Sequence, residues 1–174
     1  ALAAIAVATD LGYGMEQIRQ GLLQYQGIAM RQQIHRLPQI CVIDDSYNAS
    51  PDSAKSGVNV LIGLKSGRRI AVLADMLELG KESDQAHYDL GRYAAISGVD
   101  LVLAVGEEAR RIVQGARDGG IPAEHFENNQ QVEAYLASML RPGDAVLVKG
   151  SRGMHTDEIV SWLLSRYQSV PQLK

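Results

Sequence analysis

The sequence predicts an α/β fold, in which a mainly parallel open sheet carries helices on both faces. Short apolar runs alternate with helix-like patterns over most of the 174 residues, which is typical of successive strand–helix–strand units. The apolar runs are continuous rather than alternating, as expected for strands that are covered on both sides. Two further helices are predicted ahead of this alternation.

The first 26 residues contain the segments ALAAIAVAT and MEQIRQGLLQY, which predict two helices. In the second segment, Met15, Ile18, Leu22 and Tyr25 recur at the three- and four-residue spacing of one helix face. An apolar helix at the start of the chain is expected to be the tail of a domain whose body lies upstream. We therefore expect a domain boundary close to residue 30, with residues 31–174 forming a separate domain.

After this boundary, strands are expected at the apolar runs QICVIDD, RRIAVLADM, DLVLAVG and DAVLVKG, with weaker candidates at 32–37 and 124–128. Segment 32–37 is expected to pair with the first long strand. Helices are expected at DSAKSGVNVLIGL, HYDLGRYAAIS, EARRIVQGARD, VEAYLASML and TDEIVSWLLSRY. The first of these has a clear start, because Ser50 is a good N-cap, Pro51 suits the first helical position and Asp52 complements the helix dipole.

Composition and charge exclude several classes of function. A net charge of −3 without long Lys/Arg runs indicates no nucleic-acid or anionic-membrane partner. Cys41 is the only cysteine, so neither a disulfide framework nor a cysteine zinc site can form within the chain, and the histidines show no metal-ligand spacing. The apolar start is too short to span a membrane and lacks the basic segment of a signal peptide, so we expect a cytoplasmic location.

Candidate functional residues follow the predicted strands, because ligands of open α/β sheets bind outside the carboxyl ends of the strands. Asp44 and Asp45 end one strand, and Asp75 and Glu107 lie at or near the ends of two others. Adjacent strand residues point to opposite faces, so only one of the paired aspartates can face a given ligand. A carboxylate at this position suits a ribose diol, but both aspartates could equally shape the turn by accepting bonds from its amides.

The segment VKGSRGM (148–154) follows another strand and precedes a helix. Its two glycines bracket Ser151 and Arg152, so the turn can expose amides to an anion, with Lys149 as a further donor. An amino-acid carboxylate or a terminal phosphate would fit, although a glycine turn with solvated charges is an open alternative. No G-x-S-x-G, P-loop or G-x-G-x-x-G motif occurs, so the chain holds no self-sufficient catalytic machinery.

In order and spacing, IDDSYNASPDS, RRIAVLADMLELG and VLVKGSRGM resemble the C-terminal domain of the ATP-dependent Mur ligases. They are most similar to the branch of the family that adds D-alanyl-D-alanine. The resemblance covers essentially the whole chain and implies a Rossmann-like fold for residues 31–174. It identifies residues 1–30 as the last helices and the linker of the family's central ATP-binding domain.

The resemblance implies a cytoplasmic, monomeric ligase of peptidoglycan precursor synthesis, which joins D-alanyl-D-alanine to UDP-N-acetylmuramoyl-tripeptide. ATP would phosphorylate the tripeptide carboxylate, and the dipeptide amine would then attack the acyl phosphate. The P-loop and the Mg²⁺ ligands of the family belong to the central domain, which is expected upstream. This chain alone is therefore expected to be inactive and to contribute binding residues rather than catalytic ones.

Site residues follow from the resemblance by motif. It assigns ATP binding to Arg31, Asp45, Tyr47 and Asn48. It places Asp75, Glu78, Lys149, Ser151 and Arg152 around the incoming D-alanyl-D-alanine. Met30 and Ala74 stand where family members more often have glycine.

Two other interpretations of the sequence remain. A ligase similar to folylpolyglutamate synthase would share the architecture, but it is not expected to carry VKGSR and DMLELG together. A non-catalytic nucleotide-binding or interaction module is the alternative from another class. A P-loop upstream of Ala1 would favour a ligase over such a module.

Overall fold

The computed structural model describes residues 2–25 and 27–168. Its helices are α1 (Leu2–Asp10), α2 (Met15–Leu23), α3 (Pro51–Gly63), α4 (Ser83–Ser97), α5 (Arg110–Asp118), α6 (Asn129–Met139) and α7 (Asp157–Tyr167). Its strands are β1 (Gln33–Arg36), β2 (Cys41–Asp45), β3 (Arg69–Ala74), β4 (Leu101–Val105), β5 (Ala123–Phe126) and β6 (Ala145–Lys149). Each predicted helix and strand is present, including both weaker strand candidates.

The six strands form one sheet in the order β1-β2-β6-β3-β4-β5. Strand β1 pairs with β2, as predicted, and runs antiparallel to it, whereas all the other neighbours are parallel. The last strand in the chain, β6, therefore lies between β2 and β3. Because parallel strands end at the same edge of a sheet, the segments that follow β2, β6 and β3 become neighbours.

Two hydrophobic cores lie on opposite faces of this sheet. Leu73 of β3 packs on the face covered by α3, α4 and α5, whereas Val72, one residue earlier, packs on the face covered by α6 and α7. Both side chains are buried, which explains why the strand is apolar throughout. The fold class predicted from the sequence is confirmed.

Helix α3 begins as its sequence predicts. The Ser50 side chain accepts a hydrogen bond from the Ser53 amide, and Pro51 occupies the first turn. This cap fixes the start of α3 at the carboxyl edge of the sheet, next to the turn that follows β2. The helix start therefore becomes part of the wall of the site.

Helices α1 and α2 pack against each other and leave much apolar surface uncovered. No residue of α1 is buried, and Ile18 is the one buried residue of α2. Leu2, Met15 and Tyr25 are all largely exposed. Within the described part of the chain, none of the helices combines the length and the apolar character that crossing a membrane requires.

Candidate functional site

Two adjacent pockets open at the carboxyl edge of the sheet. The first pocket has a volume of about 400 Å³, and its walls include Arg31, Gln32, Asp45, Tyr47, Asn48 and Lys149. The second pocket has a volume of about 410 Å³, and its walls include Asn48, Leu77, Glu78, Leu79, Ser151 and Arg152. Residues 48–50 line both pockets, so two ligands bound in them would be neighbours.

A buried ion pair forms the floor of the first pocket. Asp45 and Lys149 end two neighbouring strands in matching register, and their side chains meet with Lys149 Nζ 2.8 Å from Asp45 Oδ2. The two side chains are only 8% and 3% exposed. Lys149 Nζ also donates to the Asn48 carbonyl oxygen at 2.8 Å, so the pair holds the turn after β2.

The surroundings of Asp45 act on the pKa of its carboxyl group in two opposite directions. Burial raises the pKa of this carboxyl group, whereas the hydrogen bond and the charge of Lys149 act in the opposite direction. Gly57 allows α3 to approach the Asp45 side chain closely, because a Cβ atom at this position would lie 3.1 Å from Asp45 Oδ2. A buried carboxylate therefore depends on one lysine and on a glycine of the adjoining helix.

The structure distinguishes the two aspartates that end β2. Asp44 Oδ1 accepts hydrogen bonds from the Ser46 amide at 3.1 Å and the Ser46 hydroxyl at 2.6 Å, so Asp44 shapes the turn. Asp45 lies on the pocket side and accepts a bond from the Gln32 amide at 3.2 Å. Asp44 thus has the turn-shaping role, whereas a ligand-facing role for Asp45 stays a prediction.

The segment before β1 lies against the first pocket. The Arg31 guanidinium stacks over the Tyr47 ring, 4.4 Å from its centroid, and the Tyr47 amide donates to the Met30 carbonyl at 3.0 Å. Met30 and Gln32 adopt left-handed backbone angles, with φ values of 62° and 49°. These contacts place Arg31 next to the side chains that follow β2. The resemblance predicts that these residues and Arg31 bind ATP together.

The second pocket has a rim made by the loop after β3, residues 75–80. Ser151 Oγ accepts a hydrogen bond from the Leu77 amide at 2.9 Å, and the Ser151 amide donates to the Asp75 carbonyl at 3.1 Å. Glu78 is exposed at the tip of this loop. The Arg152 side chain is 56% exposed and leaves its guanidinium accessible to a ligand.

Of the residues that the resemblance places around the dipeptide, Asp75 and Lys149 do not line the second pocket. Asp75 is only 6% exposed, and its Oδ1 accepts a bond from the Ala109 amide at 2.7 Å, just before α5. Burial raises the pKa of Asp75, while the bonds from the amides of Ala109 and Glu108 act to lower it. The structure thus gives Asp75 a structural contact in place of a pocket wall, and it moves Lys149 to the first pocket.

Several pocket residues were missed by sequence reasoning. The Gln32 side chain donates to Ser56 Oγ at 3.0 Å, and both residues line the first pocket. Leu77 and Leu79 give the second pocket an apolar rim. The proximity of Gln32 to Arg31 was a usable signal, whereas nothing local marks Ser56, which joins the site only because α3 crosses over the sheet.

Metal ligands are not brought together by this fold. Within residues 2–25 and 27–168, no group of three or more His, Cys, Asp or Glu side chains is arranged to hold a metal ion. These described residues therefore do not fit a magnesium site of their own.

Comparison with known proteins agrees with the fold. The chain is 33% identical to UDP-N-acetylmuramoyl-tripeptide–D-alanyl-D-alanine ligase of Escherichia coli K12, over 92% of this chain and 35% of that protein. It is 30% identical to the enzyme of the same name from Bacillus subtilis 168, over 94% and 37% of the two chains. The chain thus spans about a third of the length of these relatives.

Solved structures show the same relationship. MurF from Acinetobacter baumannii superposes with a TM-score of 0.80 at 31% identity, over 94% of this chain and 36% of that one. MurF ligase from Thermotoga maritima, solved in complex with ADP, has a TM-score of 0.78 at 23% identity, over 94% and 36%, and supports the fold alone. Residues 30–152 match the family described as Mur ligase, glutamate ligase domain, and the chain belongs to this family.

Proposed function

We propose that this chain is the C-terminal part of an ATP-dependent ligase that adds D-alanyl-D-alanine to UDP-N-acetylmuramoyl-tripeptide. The intact enzyme would act as a monomer in the cytoplasm and would form an acyl phosphate on the tripeptide carboxylate. Residues 1–30 would complete an upstream ATP-binding domain, which would cover the apolar surface of α1 and α2. The observation that carries the proposal is the pair of adjacent pockets, one with nucleotide-binding chemistry and one with rim groups suited to a dipeptide.

The first pocket suits the nucleotide. The Asp45 carboxylate can accept bonds from the ribose hydroxyls, and Lys149 acts to lower the pKa of that carboxyl group against the effect of its burial. Arg31 offers its planar guanidinium to phosphate oxygens, while the Tyr47 ring and the Asn48 side chain would lie beside the adenine. Stacking on Tyr47 limits the freedom of the arginine before the phosphate binds.

The second pocket suits a zwitterionic dipeptide. Arg152 would bind its carboxylate, and Glu78 would attract its ammonium group, because both charged groups are exposed at the rim. Ser151 and Asp75 would hold the loop that carries Glu78, rather than contact the ligand. Since both pockets share residues 48–50, the dipeptide amine could approach an acyl phosphate formed next to the nucleotide.

Magnesium would be supplied with ATP and held elsewhere in the intact enzyme, because the described residues of this chain form no metal site. In such ligases the metal ion would neutralise phosphate charge. The contribution of this chain is to bind and orient the two ligands and to exclude water when it closes over them.

The test uses the intact enzyme and follows phosphate release with ATP, UDP-N-acetylmuramoyl-tripeptide, and either D-alanyl-D-alanine or glutamate. Release should depend on D-alanyl-D-alanine. Arg31→Ala should raise the KM for ATP, and Arg152→Ala the KM for the dipeptide, each by about 10- to 100-fold, as for the loss of a charged hydrogen bond. Arg36→Ala, on the exposed side of β1, is the matched control and should leave both values unchanged.

Other outcomes would replace the proposal. Release that depends on glutamate would place the enzyme with ligases similar to folylpolyglutamate synthase. Release with neither acceptor would favour a nucleotide-binding module without ligase activity. An equal rise of both KM values in both variants would contradict the division into two pockets.

A further inference from the structure

The loop after β3 leaves the sheet immediately after Ala74, and its next amides need acceptors from other elements. Met76 is buried, and its amide donates to Nε2 of His87 on α4 at 2.9 Å. The amide of Leu77 donates to Ser151 Oγ at 2.9 Å. Two side chains from distant parts of the chain thus replace the strand partners that this loop lacks.

The contacts of His87 define its tautomer. Nε2 faces an N–H donor, so it must carry the lone pair. Nδ1 lies 2.7 Å from the Ser83 carbonyl oxygen, which can only accept, so Nδ1 must carry the hydrogen. The imidazole is therefore neutral, with its proton on Nδ1, whenever both bonds are formed.

His87 is fully buried, so its polar atoms would destabilise the fold if they had no partners. Two carboxylates face it: Asp75 is near enough to interact through its charge, and a Glu108 oxygen lies 4.0 Å from Nδ1. Ser83 Oγ lies 3.1 Å from Nδ1 and donates to the Glu108 carboxylate. An apolar residue would fill the same space, but it would leave the Met76 amide buried without an acceptor.

We propose that His87 is a positioning residue. It fixes the rim of the second pocket, the loop of residues 75–80, and so presents Glu78 to the ligand of this pocket. His87 lines neither of the two pockets and acts through the Met76 amide. The nature of the ligand, a dipeptide, rests on the proposed function, whereas the positioning of the rim does not.

The first experiment examines the loop in this chain by NMR and needs no ligand. The His87 ring should carry its hydrogen on Nδ1, and a coupling should join the Met76 amide to Nε2. In His87→Leu, the amides of Met76 and Leu77 should exchange with solvent about tenfold faster, as for the loss of one buried hydrogen bond. His87→Gln keeps an acceptor of similar reach and should restore much of the protection.

The second experiment uses the intact ligase. His87→Leu should raise the KM for D-alanyl-D-alanine about tenfold while the KM for ATP changes less than about twofold, and His87→Gln should restore much of the loss. His35→Gln, on the edge strand β1, is the matched histidine control and should change neither KM.

The outcomes separate the two proposals. Unchanged Met76 exchange in His87→Leu, or a hydrogen on Nε2, would overturn the positioning role whatever the enzyme does. A parallel rise of both KM values would also overturn it, because that pattern indicates a general loss of structure. The expected NMR result in a protein whose activity ignores D-alanyl-D-alanine would support rim positioning and contradict the proposed function.

Discussion

The two pockets share one wall but are built in different ways. The floor of the first pocket is a pair of opposite charges, Asp45 and Lys149, that end neighbouring strands in matching register. The rim of the second pocket is a loop whose amides are held by single side chains, His87 and Ser151. The first pocket therefore depends on charge balance inside the sheet, whereas the second depends on hydrogen bonds that position a backbone.

This difference indicates how each pocket should fail. Removing one partner of a buried ion pair leaves an isolated charge and destabilises the whole sheet. Removing one acceptor of a loop amide releases a short segment and leaves the sheet intact. Substitutions in the ion pair should therefore lower global stability, and those of the amide acceptors that hold the rim should mainly change binding.

The largest effect is expected for Lys149→Met, which leaves the Asp45 carboxylate buried without its cation. At neutral pH the free energy of unfolding should fall by about 3–5 kcal/mol, measured by urea denaturation of this chain. Because burial already raises the pKa of Asp45, the folded variant should take up a proton more readily than the unfolded chain. The loss should therefore shrink as the pH falls toward the unfolded-state pKa of about 3.9.

Two further variants sharpen this prediction. Lys65→Met removes an exposed lysine and should leave stability unchanged. Asp45→Asn combined with Lys149→Met should recover much of the stability, because no buried charge then lacks a partner. A loss in Lys149→Met that is independent of pH would show that the packing of the lysine stem, rather than its charge, stabilises this floor.

A smaller effect is expected for Gly106→Ala, beneath the rim of the second pocket. Gly106 has a φ of 110°, and an added Cβ would overlap the Asp75 carboxylate. Left-handed strain and overpacking together should lower the free energy of unfolding by about 2–4 kcal/mol. On the proposed function, the same change in the intact protein should weaken dipeptide binding more than nucleotide binding.

The matched control is Gly120→Ala, because Gly120 also has a positive φ, 90°, but open space around its Cβ position. In this control the free energy of unfolding should fall only by the cost of the left-handed backbone, about 1–2 kcal/mol. Equal losses at the two glycines would show that Asp75 can move aside without cost, and the anchoring of the rim by Asp75 would then be wrong.

The smallest effect is expected for Met30→Gly, at the point where the two pockets are linked. Met30 has a left-handed backbone, its carbonyl accepts from the Tyr47 amide, and its sulfur lies 3.7 Å from Arg152 Nη1. Glycine removes the backbone strain but adds unfolded-state entropy and loses the sulfur contact, so stability should rise by only about 0.5 kcal/mol. Differential scanning calorimetry would detect this change.

Gln32→Gly is the matched control, because Gln32 also has a positive φ but bonds to Ser56 through its side chain. It should gain less stability than Met30→Gly. A loss of more than about 1 kcal/mol in Met30→Gly would show that the methionine side chain matters more to this junction than its backbone strain.

Local signals in the sequence were sufficient to predict the elements. Strand β2 was recognised from its apolar run, and the start of α3 from Ser50 and Pro51, because burial and capping act over a few residues. The grouping of Arg31, Asp45 and Tyr47 came from a resemblance to the family, and the structure places these side chains around one pocket. Their roles toward ATP stay a prediction, which Arg31→Ala tests for the arginine.

The sequence by itself determined the α/β alternation, the cap of α3 and the polar residues at the strand ends, because each depends on neighbours close along the chain. Tertiary structure alone decided that β6 lies between β2 and β3. This strand order is the reason why Lys149 pairs with Asp45 and lines the first pocket, while Ser151 and Arg152, which follow Lys149 in sequence, line the second. Tertiary structure also decided that Asp75 is buried and that His87 accepts a hydrogen bond from the loop after β3. These outcomes depend on strand order and on helices crossing the sheet, since long-range packing brings together residues that share no local pattern.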